Sequence, residues 1–281
     1  MDAFRACLLL VGTTAFLHLG RETFAAEPPS PSEPAFEKAS NKELLDPEFV
    51  GCVRRVIAAV VAAAKECDLD GDERTEALVR AAAGVEGLPP ERQARAVLLG
   101  LAVAMDRGAE MRASVMTKRF WTAYESDAER SKRLRVLGRP TILGREDLAK
   151  HFFISTGLTA VMTPAAAEAA GILKEVSDAN GGTGFSWIDM GANLAGIEFA
   201  RHLIVHRPTP IELAREFRVE TFVPRCILDL QEGIMLEELR NEFSLDSRIR
   251  FQAEVDRIRK HVSELPIYTG ESRSEPQAAS R

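Results

Sequence analysis

The apolar positions of this chain recur at helical spacing in one segment after another. Asp46 as N-cap and Pro47 at the first helical position introduce Phe49, Val53, Val56, Ile57, Val60 and Ala64, one face of a helix that runs to about residue 66. A turn over 67–73 predicts a second helix over 74–83, stopped at Gly84. A third opens at Pro89 and Pro90, carries Val97, Leu98, Leu101, Ala102 and Met105, and stops by Gly108. These lengths and short connections are those of a helical bundle. Further helix is predicted over 111–124, while the charged stretch 126–137 reads as an exposed helix or a loop before the break at Gly138, Arg139 and Pro140.

The second half continues the pattern with helices over 146–162 and 164–178, the latter capped by Thr163, a glycine-rich turn over 180–184, and a long helix over 187–206 closed by Pro208 and Pro210. Shorter helices are expected over 212–217, 235–243 and 248–265. On the long helix, Ile188, Met190, Leu194, Ile197, Phe199, Leu203 and Ile204 leave no polar side, the mark of a buried helix. The expectation is therefore an all-α fold, an irregular helical bundle with a buried central helix.

The two ends depart from this pattern. Residues 1–26 read as a secretory signal: an apolar run from Ala6 to Gly20, then a polar segment ending at Ala25 and Ala26. The run is shorter than the roughly 20 apolar residues of a spanning helix, so no transmembrane helix is expected in the mature chain. Residues 27–41, rich in Pro, Ser and Glu, read as a disordered linker, and 266–281 as a disordered tail, leaving 42–265 as one helical domain with a possible sub-boundary near 126–144. The implied location is secreted or periplasmic. With 281 residues, 46% hydrophobic and 28% charged, there is enough chain for a sizeable core, and a net charge of -6 without a basic stripe argues against a nucleic-acid partner. Beyond the signal, Cys52, Cys67 and Cys226 form no CxxC pair. Cys52 and Cys67 are about 22 Å apart along a continuous helix and cannot pair with each other, which leaves three free thiols or a Cys67–Cys226 bridge.

Candidate chemistry gathers in residues 150–201. Asp189 and Asn193 lie one turn apart on the long helix beside Gly196, so both are expected inside, in need of partners. His151, one turn after Asp147, and Glu175, flanking the apolar face of Ile172, Leu173 and Val176, are the candidate partners on the two preceding helices, while Lys174 and Asp178 point away. Ser186 and Asp189 are spaced for a capping box. One reading is architectural, with caps, a turn, a surface Asp147–His151 pair and close packing. The other is a site in which His151, Glu175, Asp189 and Asn193 do general acid–base work or hold a divalent cation.

The ordered set His151, Phe152, Lys174, Glu175, Asp178, the glycine-rich turn, Phe185, Ser186, Asp189, Ala192, Asn193 and Gly196 resembles the YfiM-like periplasmic lipoproteins and, more distantly, the VanZ-like membrane proteins. The resemblance spans about fifty residues and implies a helical envelope protein. It carries no activity, and the lipid-attachment cysteine of those lipoproteins has no counterpart here.

Glu198, His202 and His206, at i, i+4 and i+8, form a second candidate metal set, although the stripe drifts by about 80° along the helix. Asp68, Asp70 and Asp72 begin like a calcium loop, but Glu73 and Val79 occupy the positions that need Gly and Glu. No cofactor motif is present. The expected function is a non-catalytic binding or structural protein that meets an unknown protein or envelope component; the alternative is a small hydrolase built on the His–carboxylate cluster.

Overall fold

The computed structural model describes residues 36–242 and 248–270. The expected signal, most of the linker, Phe243 and the end of the tail lie outside the described residues. The helices are α1 (Asn41–Leu44), α2 (Pro47–Glu66), α3 (Gly71–Ala83), α4 (Pro90–Met105), α5 (Glu110–Ala113), α6 (Lys118–Tyr124), α7 (Asp127–Val136), α8 (Glu146–Val161), α9 (Pro164–Ala179), α10 (Trp187–His206), α11 (Pro210–Glu216), α12 (Val219–Phe222), a 3-10 turn (Arg225–Asp229), α13 (Leu236–Glu242), α14 (Arg248–Ser263) and α15 (Pro266–Thr269). The fold is an all-α helical bundle, and among the described residues β pairing is confined to isolated bridges.

Helices α2, α4, α8 and α10 follow one another through the core, with α3 against α2 at one end and α9 and α14 against α10 at the other. The most extensive packing is between α8 and α10. It is possible because Gly196 presents no side chain there: a Cβ at this position would lie 2.1 Å from the backbone oxygen of Phe152. The rings of Phe152 and Phe199 then meet at 5.4 Å. Helix α10 is buried on all sides, as its lack of a polar side requires, but α4 is buried equally from Arg95 to Met105. The centre is thus shared by several helices.

Local signals set the helix ends. Asp46 accepts from the backbone N–H groups of Glu48 and Phe49, Thr163 from Ala166, and Ser186 from Asp189. The charged stretch left open between helix and loop is α7, where Ser126 and Glu129 make a reciprocal capping box. Helix α3 starts at Gly71, earlier than its apolar face indicates, because Asp72 accepts from Gly144 N–H at 3.0 Å and from the Thr141 hydroxyl. The Asp-rich segment is therefore a helix start docked onto the 140–144 turn and not a calcium loop.

Three boundaries differ from the compositional reading. Phe36 packs against the core, Ala39 is buried and Ser40 caps α1, so the end of the expected linker is engaged with the core. At the other end α15 places Tyr268 beside His202 and Phe222. No break separates the halves near 126–144: α4 packs along α8 across that stretch, and Arg74 ties the stretch itself to the first half by donating to the carbonyls of Ala64, Cys67 and Leu69 and to those of Val136 and Leu137. Helix α2 is continuous, which keeps Cys52 and Cys67 apart, and Cys52, Cys67 and Cys226 are free thiols. Among the described residues no helix is long and apolar enough to cross a membrane.

Candidate functional site

The four residues expected to converge do so, between α8, α9 and α10. His151 sits on the second turn of α8 with Ser155 one turn later. Asn193 on α10 faces both, its Oδ1 accepting from Ser155 Oγ at 2.8 Å and standing 3.2 Å from His151 Nδ1. With Oδ1 as the acceptor of both, the imidazole proton is assigned to Nδ1, and the lone pair of Nε2 is directed to the other side of the ring. There Asp189 Oδ2 lies 3.5 Å from Nε2. Glu175 enters from α9 with Oε1 3.7 Å from Nδ1, while its Oε2 accepts the backbone N–H of Ser186 at 3.3 Å.

The last bond alters the expected cap. Ser186 does cap α10, but its own N–H goes to Glu175 across the turn and not to Asp189, so the box is half made. Gly184 brings the chain into this position: its φ is +92°, and a Cβ there would lie 2.4 Å from the backbone of Gly233. Just beyond it Phe185 pairs with Ile234 in an antiparallel bridge.

The cluster is nearly closed. The side chain of Glu175 is 0% exposed, His151 12% and Asp189 16%. Two carboxylate oxygens, Glu175 Oε1 and Asp189 Oδ1, are buried without a hydrogen-bond partner. Asp189 therefore falls short of the expectation that it is partnered inside, whereas Asn193, 3% exposed, meets it. Burial pushes the Glu175 carboxyl up to about 8, with the charge of Asp189 beside it adding to the rise. Burial likewise raises Asp189, opposed by His151, and lowers His151, opposed by Asp189. Each member is thus held toward its neutral form.

Asp147 does not pair with His151, because Arg145 takes it at 2.5 Å together with Glu232 at 2.8 Å. Lys174 and Asp178 pair with each other at the edge. The Ser155 hydroxyl, which fixes the amide of Asn193, is a contributor that the sequence reading missed; its position one turn after His151 was the available signal. Among the described residues, the one group of three or more His, Cys, Asp or Glu side chains suited to a shared ion is His151, Glu175 and Asp189, whose ligand atoms lie within 4.8 Å of one another.

The second candidate metal set does not assemble. Glu198 is bound through both oxygens by Arg201, at 2.7 and 2.9 Å. The His202 ring lies tilted against that of His206 at 4.7 Å and packs against Tyr268 at 5.4 Å, while His206 is exposed. Burial lowers His202 to about 4, and the neighbouring charges of His206 and Arg201 add to the fall. Helical drift and these competing contacts dismantle the i, i+4, i+8 array. Elsewhere, a groove of about 380 Å³ lies between the 86–90 loop and the end of α10, lined by Leu88, Val97, Leu203, Arg207 and Leu213, and none of the cluster residues reaches it.

No family model matches the sequence, and comparison with curated proteins and with solved structures finds no match.

Proposed function

We propose that this chain is an exported helical protein of the cell envelope that binds a small charged ligand in the cluster of His151, Glu175, Asp189 and Asn193. The observation that carries the reading is the Glu175 side chain, wholly buried, with one oxygen held by Ser186 and the other facing His151 without a partner. A purely architectural polar cluster satisfies its members, since a buried unmet acceptor costs about 1–3 kcal/mol. A position that retains such a cost is a candidate for function. Exposure limited to part of His151 and Asp189 suits an ion or a very small molecule. The second reading, a small hydrolase, is favoured by the same convergence, which sets two carboxylates 3.5 and 3.7 Å from one imidazole. An extended substrate would need the cluster to open.

The two kinds of residue in the cluster should respond oppositely to substitution. Glu175→Gln keeps an oxygen for Ser186 and replaces the unmet carboxylate oxygen by an uncharged NH2, which removes the cost of burying an ionisable carboxylate, so an unchanged or higher thermal midpoint is expected. Asn193→Ala strips the acceptor from Ser155 and His151 and should cost about 1–3 kcal/mol. Equal destabilisation by both would reduce the cluster to architecture. The envelope part of the proposal rests on the N-terminal pattern and on the likeness to YfiM-like proteins. Intact-mass measurement checks it: about 26 residues should be missing from the mature chain, and a full-length mass in the cytosolic fraction would refute export.

A further inference from the structure

We propose that the ligand is a divalent transition-metal ion of the zinc class, bound by His151 Nε2, Asp189 and Glu175. This rests on the binding reading above and gives it a chemical identity. Three side chains from three helices bring electron-pair donors to one imidazole: the Nε2 lone pair, Asp189 Oδ2 at 3.5 Å from it, and Glu175 Oε1, which lies 3.7 Å from Nδ1 of the same ring, so that an ion shared at Nε2 requires the Glu175 side chain to rotate toward it. Acceptors so placed need a shared cation or protons between them. An ion about 2.0–2.2 Å from each of four tetrahedral ligands sets neighbouring donor atoms about 3.3–3.6 Å apart. The imidazole and Asp189 already stand at that spacing, and one oxygen of Glu175 lies within the same 4.8 Å envelope.

The surroundings are arranged as those of metal ligands are. A ligating histidine commonly donates its other N–H to an oxygen that fixes tautomer and ring plane. Here Nδ1 has Asn193 Oδ1 at 3.2 Å, itself fixed by Ser155 at 2.8 Å. Glu175 has its Oε2 occupied by the Ser186 N–H, which leaves Oε1 as its free donor. The second oxygen of Asp189, also buried and unpaired, allows that carboxylate to bind through either atom. A cation that takes the place of the carboxyl protons leaves two carboxylates and a neutral imidazole, whose charge a divalent ion cancels, and the partly exposed His151 and Asp189 let water complete the coordination. Calcium takes about 6–8 oxygen ligands, and magnesium demands an octahedron of oxygens. One imidazole with two carboxylates in a nearly closed space suits a borderline ion instead.

The test uses the full chain stripped with a chelator and titrated with Zn²⁺ alone, read by calorimetry, alongside the Co²⁺ absorption spectrum. One ion per chain is expected, with nitrogen and oxygen ligation in the Co²⁺ spectrum. Glu175→Gln and Asp189→Asn, which keep the shape of the side chains, should each weaken binding by about a hundredfold or more, and Ser155→Ala by about tenfold through the loosened imidazole. Cooperative unfolding of each variant establishes that it is folded. The double variant His202→Gln, His206→Gln and the variant Cys226→Ser should bind as the wild type does. Absence of saturable one-to-one binding, displacement of zinc by equimolar Ca²⁺, sulfur ligation in the Co²⁺ spectrum, or binding that survives both carboxylate variants overturns the assignment. If zinc fails while Glu175→Gln keeps or raises the thermal midpoint, only the ion class falls. If Glu175→Gln is destabilised as Asn193→Ala is, the binding reading falls as well.

Discussion

Arg133→Met is expected to destabilise the protein by about 3–5 kcal/mol, the range for breaking a buried ion pair from one side. The guanidinium of Arg133, on α7, is buried and bonds both oxygens of Glu125 at 2.7 and 2.9 Å, and it also donates to the carbonyls of Ala104 and Asp106 at 2.9 and 3.0 Å. Those two carbonyls end α4 and have no further helical N–H to accept from. Methionine replaces the stem but none of the donors. Glu125 then keeps only Arg112, at 2.8 Å, and Asp106 loses a positive neighbour that opposes the rise of its carboxyl, which burial pushes up to about 6. Asp106 in turn accepts from the indole N–H of Trp121 at 3.0 Å, so the disturbance reaches the core. Urea denaturation with an unchanged m-value measures the loss. The double variant Arg133→Met, Glu125→Leu should recover part of it, because the stranded charge is gone. Arg139→Ala, which removes an exposed partner of Glu146, should have no resolvable effect. An Arg133→Met loss as small as that of Arg139→Ala would mean that the network contributes nothing.

That network shows where sequence reading stops. Helix starts at Asp46, Thr163 and Ser186 were legible because a cap is a local event, complete within three residues. The convergence of His151, Glu175, Asp189 and Asn193 was legible for a related reason: each lies on a definable stripe, and α8, α9 and α10 are consecutive and joined by short turns. The contacts of Arg74 and Arg133 were not, since most of their acceptors are backbone carbonyls, up to 63 residues away, and no side-chain pattern marks a carbonyl. Composition misled at residues 36–41, where Phe36 and Ala39 among polar neighbours are enough to hold the segment on the core. Helical spacing misled at Glu198, His202 and His206 because it describes one helix in isolation. Arg201 on the same helix, and Phe222 and Tyr268 from later in the chain, had prior claims on those side chains.

Gly196→Ala tests the contact on which both the core and the site depend. An alanine Cβ at this position would lie 2.1 Å from the carbonyl oxygen of Phe152, 2.9 Å from its carbonyl carbon and 3.0 Å from its Cα. All three are backbone atoms, so no rotamer change relieves the clash and α8 must move away from α10. That separation also stretches the bond from Thr156 Oγ1 to the Gly196 carbonyl, now 3.1 Å, and loosens the packing of Phe152 on Phe199. Overpacking of about 1–3 kcal/mol, with a buried hydrogen bond of about 1 kcal/mol lost, gives an expected cost of roughly 3 kcal/mol. The gain in helix propensity on replacing glycine, about 1 kcal/mol, offsets only part of the strain. His151 precedes Phe152 directly and Asn193 lies one turn before Gly196, so the same displacement opens the 3.2–3.7 Å spacings between His151 and its three partners. Zinc binding should therefore weaken together with stability, although no ligand has been altered. Gly51→Ala is the control: it sits in α2, and a Cβ there meets nothing nearer than the Arg55 guanidinium at 3.9 Å. It is expected to be neutral or mildly stabilising. Equal denaturation midpoints for the two alanine variants would show that α8 and α10 do not approach as closely as the cluster requires.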